Sequence, residues 1–146
     1  MPVSSVPSVE ELARSYDDAW NAHDVDAILA LHADDMVFHV HLPGYEEITG
    51  TTALREHFEG FFALWPDLEF RPYRLTASSE LFTNELTMAG TLAAPMTVGG
   101  VTLGPTAHAV EFEAADIVRV DNGRIKRKDT YIDSASLLAQ VGALAG

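Results

Sequence analysis

Two acids stand where a hairpin would bring them together. Asp121-Asn122-Gly123 separates two alternating runs, and Asn and Gly tolerate the positive φ of a tight turn. With Asn122 and Gly123 as a two-residue turn, Asp121 pairs with Arg124, and counting outward sets Asp116 opposite Asp129. Their face then also holds Val120, Ile125, Val118, Arg127, Ala114, Tyr131 and Phe112, while Arg119, Lys126, Lys128, Thr130 and Glu113 take the other. Apolar content favours the first face as the interior. Two carboxylates side by side in an apolar pocket cannot both ionise cheaply, so the pair can hold one acid and one base near neutral pH. That is equipment for general acid–base catalysis, with Arg127 tempering the repulsion and Tyr131 as a donor to an enolate. A three-residue turn with a glycine bulge would instead set Asp116 against Lys128. In a purely structural role, Asp116 is a hydrogen-bonding acid and Asp129 the partner of a nearby Lys or Arg.

His39-Val40-His41 places two imidazoles on one strand face, where they could bind a metal or polarise a carbonyl. No third His, Asp or Glu stands at a convincing spacing, so no metal is expected. His108 starts a strand and could lean over a pocket mouth, and Asn84, mid-strand among apolar neighbours, would orient a ligand oxygen if it faced inward. His32 and His57 fall on helical segments as solvated or packing residues. Tyr16, Trp20, Phe58, Phe62 and Trp65 recur at helical spacing and form candidate pocket walls, although such stripes also make plain core.

The elements that must position these residues follow from local signals. Ser8 to Glu11 is a capping box opening a helix with Val9, Leu12, Tyr16, Ala19 and Trp20 on one stripe. Asp24 caps a short second helix, and Met36 to His41 reads as a strand stopped by Pro43-Gly44. Thr51 or Thr52 opens a third helix, which Pro66 ends. Period-two runs at about 69–77, 80–91, 107–120 and 124–133 predict four strands, the first an edge or bulged strand because it carries Pro72. Gly90 to Pro105 is a connection punctuated by Gly and Pro, a candidate lid, and Asp133 caps a last helix with Leu137, Leu138, Val141 and Leu144. Clustered antiparallel strands with helices elsewhere imply an α+β architecture, a curved sheet and helices enclosing an open-ended cone.

Composition narrows the partners. The chain suits one domain over 1–146, with 1–7 as a flexible N-terminal segment. Nine Lys and Arg against 22 Asp and Glu give a formal charge of −13, which repels phosphate backbones and anionic lipid. Neither nucleic acid nor membrane is an expected partner. There is no cysteine, so disulfides and thiol chemistry are excluded. No signal peptide or apolar span is visible, which makes the cytoplasm the default. No phosphate loop, dinucleotide fingerprint or nucleophile elbow occurs, so no cofactor is expected.

A set of landmarks in order resembles the SnoaL-like polyketide cyclases of the NTF2-like superfamily. They are Tyr16 to Asp24, Gly50 with Leu54-Arg55-Glu56-His57-Phe58, Trp65-Pro66-Asp67-Leu68, Gly104-Pro105-Thr106, Ala115 to Arg119, Asn122 to Ile125, and Tyr131-Ile132-Asp133 with Gln140 to Gly142. The resemblance implies a helix-lined cone, often a homodimer through the sheet, in a family of cyclases, isomerases, dehydratases, epoxide hydrolases and plain binding modules. It also implies that the family's acid in the final strand, which follows a tryptophan, falls at Thr130, with Asp129 at the tryptophan position. Ala114 stands where epoxide-hydrolase relatives would have an arginine, unless Arg127 substitutes. The expected function is a cofactor-independent acid–base enzyme acting on a small, apolar, oxygen-bearing molecule; the alternative is a non-catalytic binder of such a ligand, or a dimerisation domain.

Overall fold

Capping chemistry sets the helix starts. In the structure, a computed structural model describing residues 6–141, α1 (Val9–Asn21) begins where the Ser8 hydroxyl accepts the Glu11 amide, and α2 (Val25–Ala30) where Asp24 accepts the Ala27 amide. Strand β1 (His32–His41) starts four residues earlier than its alternating run suggested, taking His32 out of the helical segment. After the two-residue β2 (Ile48–Thr49), α3 (Thr51–Leu64) buries Leu54, Phe58 and Phe62. The strands β3 (Glu69–Ala77), β4 (Leu81–Gly90), β7 (Val110–Asp121) and β8 (Arg124–Ile132) match the four period-two runs closely. Asp133 caps α4 (Ser134–Gln140) through the Ser136 amide. Gly142 and Leu144 lie outside the described residues.

Gly90 to Pro105 is more ordered than its punctuation implied. It folds into a small hairpin of β5 (Met96–Val98) and β6 (Val101–Leu103), and Leu92, Val98 and Leu103 are buried. The main sheet runs β2-β1-β8-β7-β4-β3, antiparallel at each pairing except the parallel β1–β8 contact. Pro72 sits on the edge strand β3 beside a register shift, where its missing N–H disturbs the ladder least.

Apolar side chains form two buried clusters. One joins α1, α2 and α3 to Met36, Phe38, Phe82, Val118 and Ile125; the other gathers Trp65, Leu86, Met88, Leu92, Phe112 and Leu137. Among the described residues, no helix is long and apolar enough to cross a membrane.

One residue decides which side chains face this interior. The β7–β8 turn has two residues, with Asn122 and Gly123 both at positive φ and Asp121 opposite Arg124. Val120 pairs with Ile125, but Arg119 pairs with Arg127, so Lys126 is an extra residue in β8. Because the side-chain period of a strand is two, that bulge turns every later side chain of β8 to the opposite face. Asp116 therefore pairs with Thr130, and Asp129 lies opposite Ile117. Neither the expected Asp116–Asp129 pair nor the Lys128 alternative forms.

Candidate active site

Register across five strands builds a row on the inner face with polar residues at its centre. Leu75 pairs with Asn84, Asn84 with Asp116, Asp116 with Thr130, and Thr130 with Val40. The next row holds Phe82, Val118, Lys128 and Phe38. Asp116, Thr130 and Lys128 thus sit together in the middle of the sheet, where they line a cavity of about 360 Å³. Its walls draw on both apolar clusters: Trp20, Phe38 and Phe58 from one, Trp65, Met88 and Phe112 from the other. Such a volume falls toward the low end of the ligand-pocket range of about 300–1,000 Å³ and suits a compact organic molecule.

The Thr130 hydroxyl donates to Asp116 Oδ1 at 2.7 Å, and Lys128 Nζ lies 3.8 Å from Asp116 Oδ2. Lys128 Nζ also stands 4.1 Å above the Trp20 ring, a cation–π contact in a desolvated place. Burial pushes the Lys128 ammonium below the usual lysine value, and the carboxylates of Asp116 and Asp17 pull it back. Asp17, reached from α1, accepts the Asn84 amide at 2.6 Å; burial raises its pKa against that hydrogen bond. Behind this group, Tyr16 O–H meets His32 Nε2 at 2.8 Å. Burial drops the His32 pKa to about 3, so the ring is neutral, and it lifts that of the Tyr16 phenol. Asp116 has one short hydrogen bond and one more distant cation, which leaves acceptor capacity toward the cavity.

The other expected site residues divide between wall, core and outer face. Trp20, Phe58 and Trp65 line the cavity. Tyr16, Phe62 and Asn84 are buried but do not line it: Phe62 stacks on His23, and Asn84 is turned to Asp17. His108 is exposed and away from it. His39, His41, Arg127, Asp129 and Tyr131 lie on the opposite face of the sheet, a consequence of the bulge for the β8 residues. There Arg127 grips Asp129 with Nε at 2.9 Å and Nη2 at 3.0 Å, and also reaches Glu47 at 2.8 Å. His41 Nε2 meets Asp129 Oδ1 at 2.8 Å, and the half-exposed Tyr131 ring stacks on His41. Arg127 consequently does not replace the arginine missing at Ala114.

Sequence reasoning missed several cavity residues, among them Lys128, Thr130, Glu56 and His57. Lys128 and Thr130 were assigned to the wrong face, although the resemblance had already put Thr130 at the family's acid position. Glu56 and His57, in the segment Leu54 to Phe58, line the cavity from α3, and burial lowers the His57 pKa. Among features of the sequence, Ile125 and Ile132, both apolar yet out of phase by one residue, were the available sign of a bulge.

Known proteins agree with this architecture. A protein from Catenulispora acidiphila with a ketosteroid isomerase-like fold, solved with trimethylamine, is 17% identical at a TM-score of 0.76, over 92% of this chain and 95% of that one. A SnoaL-like polyketide cyclase from Agrobacterium tumefaciens is 18% identical at a TM-score of 0.76, over 93% and 99%. An LEH-like epoxide hydrolase from M. tuberculosis is 18% identical at a TM-score of 0.71, over 94% and 92%. At these identities the likeness shows the fold alone. No curated protein matches the chain by sequence. The SnoaL-like domain profile matches residues 12–128, and the chain belongs to that family.

Proposed function

We propose that the chain is an acid–base enzyme that removes a proton beside a carbonyl of a compact apolar substrate. The observation that carries the reading is Asp116, which lines an aromatic cavity with Thr130 and Lys128 beside its carboxylate. Asp116 would accept the α-proton, leaving the electron pair as an enolate. The Lys128 ammonium would balance the charge that develops on the enolate oxygen, an interaction strengthened by the surrounding aromatics. Thr130 would hold the Asp116 carboxylate in one orientation. Return of the proton from Asp116 to another carbon completes an isomerisation; attack of the enolate carbon on a second carbonyl forms the new bond of an aldol cyclisation, and the alkoxide so formed takes the proton held by Asp116. Asp129, turned to the outer face, has no part in this scheme, which replaces the dyad expected from the sequence.

Exchange in D2O tests it without knowledge of the natural substrate. A panel of bicyclic and tricyclic ketones and β-ketoesters is incubated with the protein, and deuterium at the α-carbon is followed by NMR. The native chain accelerates exchange of at least one member, and Asp116→Asn lowers that acceleration by about 10²–10⁴-fold while folding normally. Undiminished exchange by Asp116→Asn overturns the proposal. Ligands that raise the melting temperature with no exchange at all favour the rival reading, a carrier of apolar molecules, to which Thr130 at the family's acid position already lends weight.

A further inference from the structure

The outer face of the β1–β8 pair holds a second cluster, which the proposed reaction does not use. The parallel register sets His39 beside Asp129 and His41 beside Tyr131. One ligating atom each from His39, His41 and Asp129 lies within 4.8 Å of the others. We propose that these three side chains bind a divalent first-row transition metal ion such as Zn²⁺, joining the two strands on the face opposite the cavity. The third ligand that sequence spacing did not offer comes from the neighbouring strand, 88 residues from His41.

Two imidazoles and one carboxylate form a borderline donor set, suited to zinc, cobalt or nickel and unsuited to calcium or magnesium. Metal–ligand bonds of about 2.0–2.2 Å in a tetrahedron place donor atoms about 3.3 Å apart. His41 Nε2 and Asp129 Oδ1, at 2.8 Å, are already that close, and the His39 ring stands beside them, 4.0 Å from the His41 ring between centroids. Backbone pairing fixes where all three start. His39 Nε2 lies 3.3 Å from the Tyr45 carbonyl oxygen, an acceptor, so this nitrogen carries the proton and Nδ1 keeps its lone pair. An imidazole N–H donated to a carbonyl is the usual outer support of a histidine ligand.

Arg127 is the evident competitor, since it also holds Asp129. Its Nε bonds Oδ2, while Oδ1, shared with Nη2, faces His41. A carboxylate has room for a metal on one oxygen and a guanidinium on the other, and Arg127 keeps a second partner in Glu47. On binding, His41 carries its ring proton on Nδ1, which frees the Nε2 lone pair, and both atoms of that hydrogen bond become ligands.

The test uses the full chain stripped with EDTA, titrated with Zn²⁺ by calorimetry and with Co²⁺ by visible absorption. One ion per chain is expected, with Co²⁺ bands of a low-coordinate site. His39→Ala, His41→Ala and Asp129→Asn each weaken binding by at least about tenfold. Melting curves in EDTA check that the variants are folded. Asp116→Asn binds the ion as the native chain does, which separates this site from the cavity and its chemistry. No binding by the native chain at millimolar Zn²⁺, or equal binding by a His39→Ala/His41→Ala double variant, overturns the proposal.

Discussion

The two faces of the β7–β8 hairpin each carry an aspartate beside a base, and the two aspartates are in opposite states. Asp129 accepts from Arg127 twice and from His41 once, so both of its oxygens are engaged. Asp116 accepts one hydroxyl, and its cation stands off at 3.8 Å. On the outer face, guanidinium geometry favours a bidentate ion pair. On the inner face, a lysine buried among Tyr16, Trp20 and Phe38 is a point charge with no fork to chelate a carboxylate. The difference teaches that what sets the proposed base apart is unsatisfied capacity beside a cavity, which charge alone does not mark.

The comparison breaks most directly in the exchange assay. Asp116→Asn is expected to remove about 10²–10⁴-fold of the acceleration, and Asp129→Asn to leave it within a factor of about three. Equal losses would erase the distinction between the faces. Lys128→Met, which keeps the bulk and removes the charge, should cost about 10²–10³-fold in the same assay, whereas Arg127→Met should leave exchange unchanged.

A pH titration sharpens the contrast on the side of stability. His32 is neutral in the fold with a pKa of about 3 against an ordinary 6.5, so between those values the unfolded chain binds the extra proton. Its contribution is fully present above pH 6.5, declines as pH falls through that window, and is gone below about 3. Denaturant midpoints measured across this range should fall less steeply for His32→Gln than for the native chain. The smallest effect is expected from deleting Lys126. Removal of the extra residue leaves Val120 opposite Ile125 and Arg119 opposite Arg127 without a bulge, so the inner row survives. The exposed ion pair to Asp35, a weak contribution, is lost and the parallel β1–β8 register between His32 and Val37 must readjust, while exchange should persist.

Much of the architecture was legible because it is written locally. Ser8, Asp24 and Asp133 each cap the helix they were expected to cap, Pro66 ends α3, and Pro72 marks the edge strand. The cavity wall was half legible: Trp20, Phe58 and Trp65 line it, while Tyr16 and Phe62 on the same helices belong to the core behind. A helical stripe specifies a buried face without saying how deep in the interior each ring stops.

By itself the sequence determined the kinds and order of the four helices and of β1, β3, β4, β7 and β8, and the family landmarks that assigned the acid position to Thr130; β2, the β5–β6 hairpin and the choice of a two-residue turn at Asn122-Gly123 waited for the fold. Tertiary structure alone decided which β8 side chains enter the cone. A bulge adds one residue and reverses a face, and here it is tied to pairing with β7 and to the parallel contact with β1. The same parallel contact joined Asp129 to His41. Periodicity within a strand carries no record of a neighbour 88 residues away, so only the folded sheet could bring that trio together.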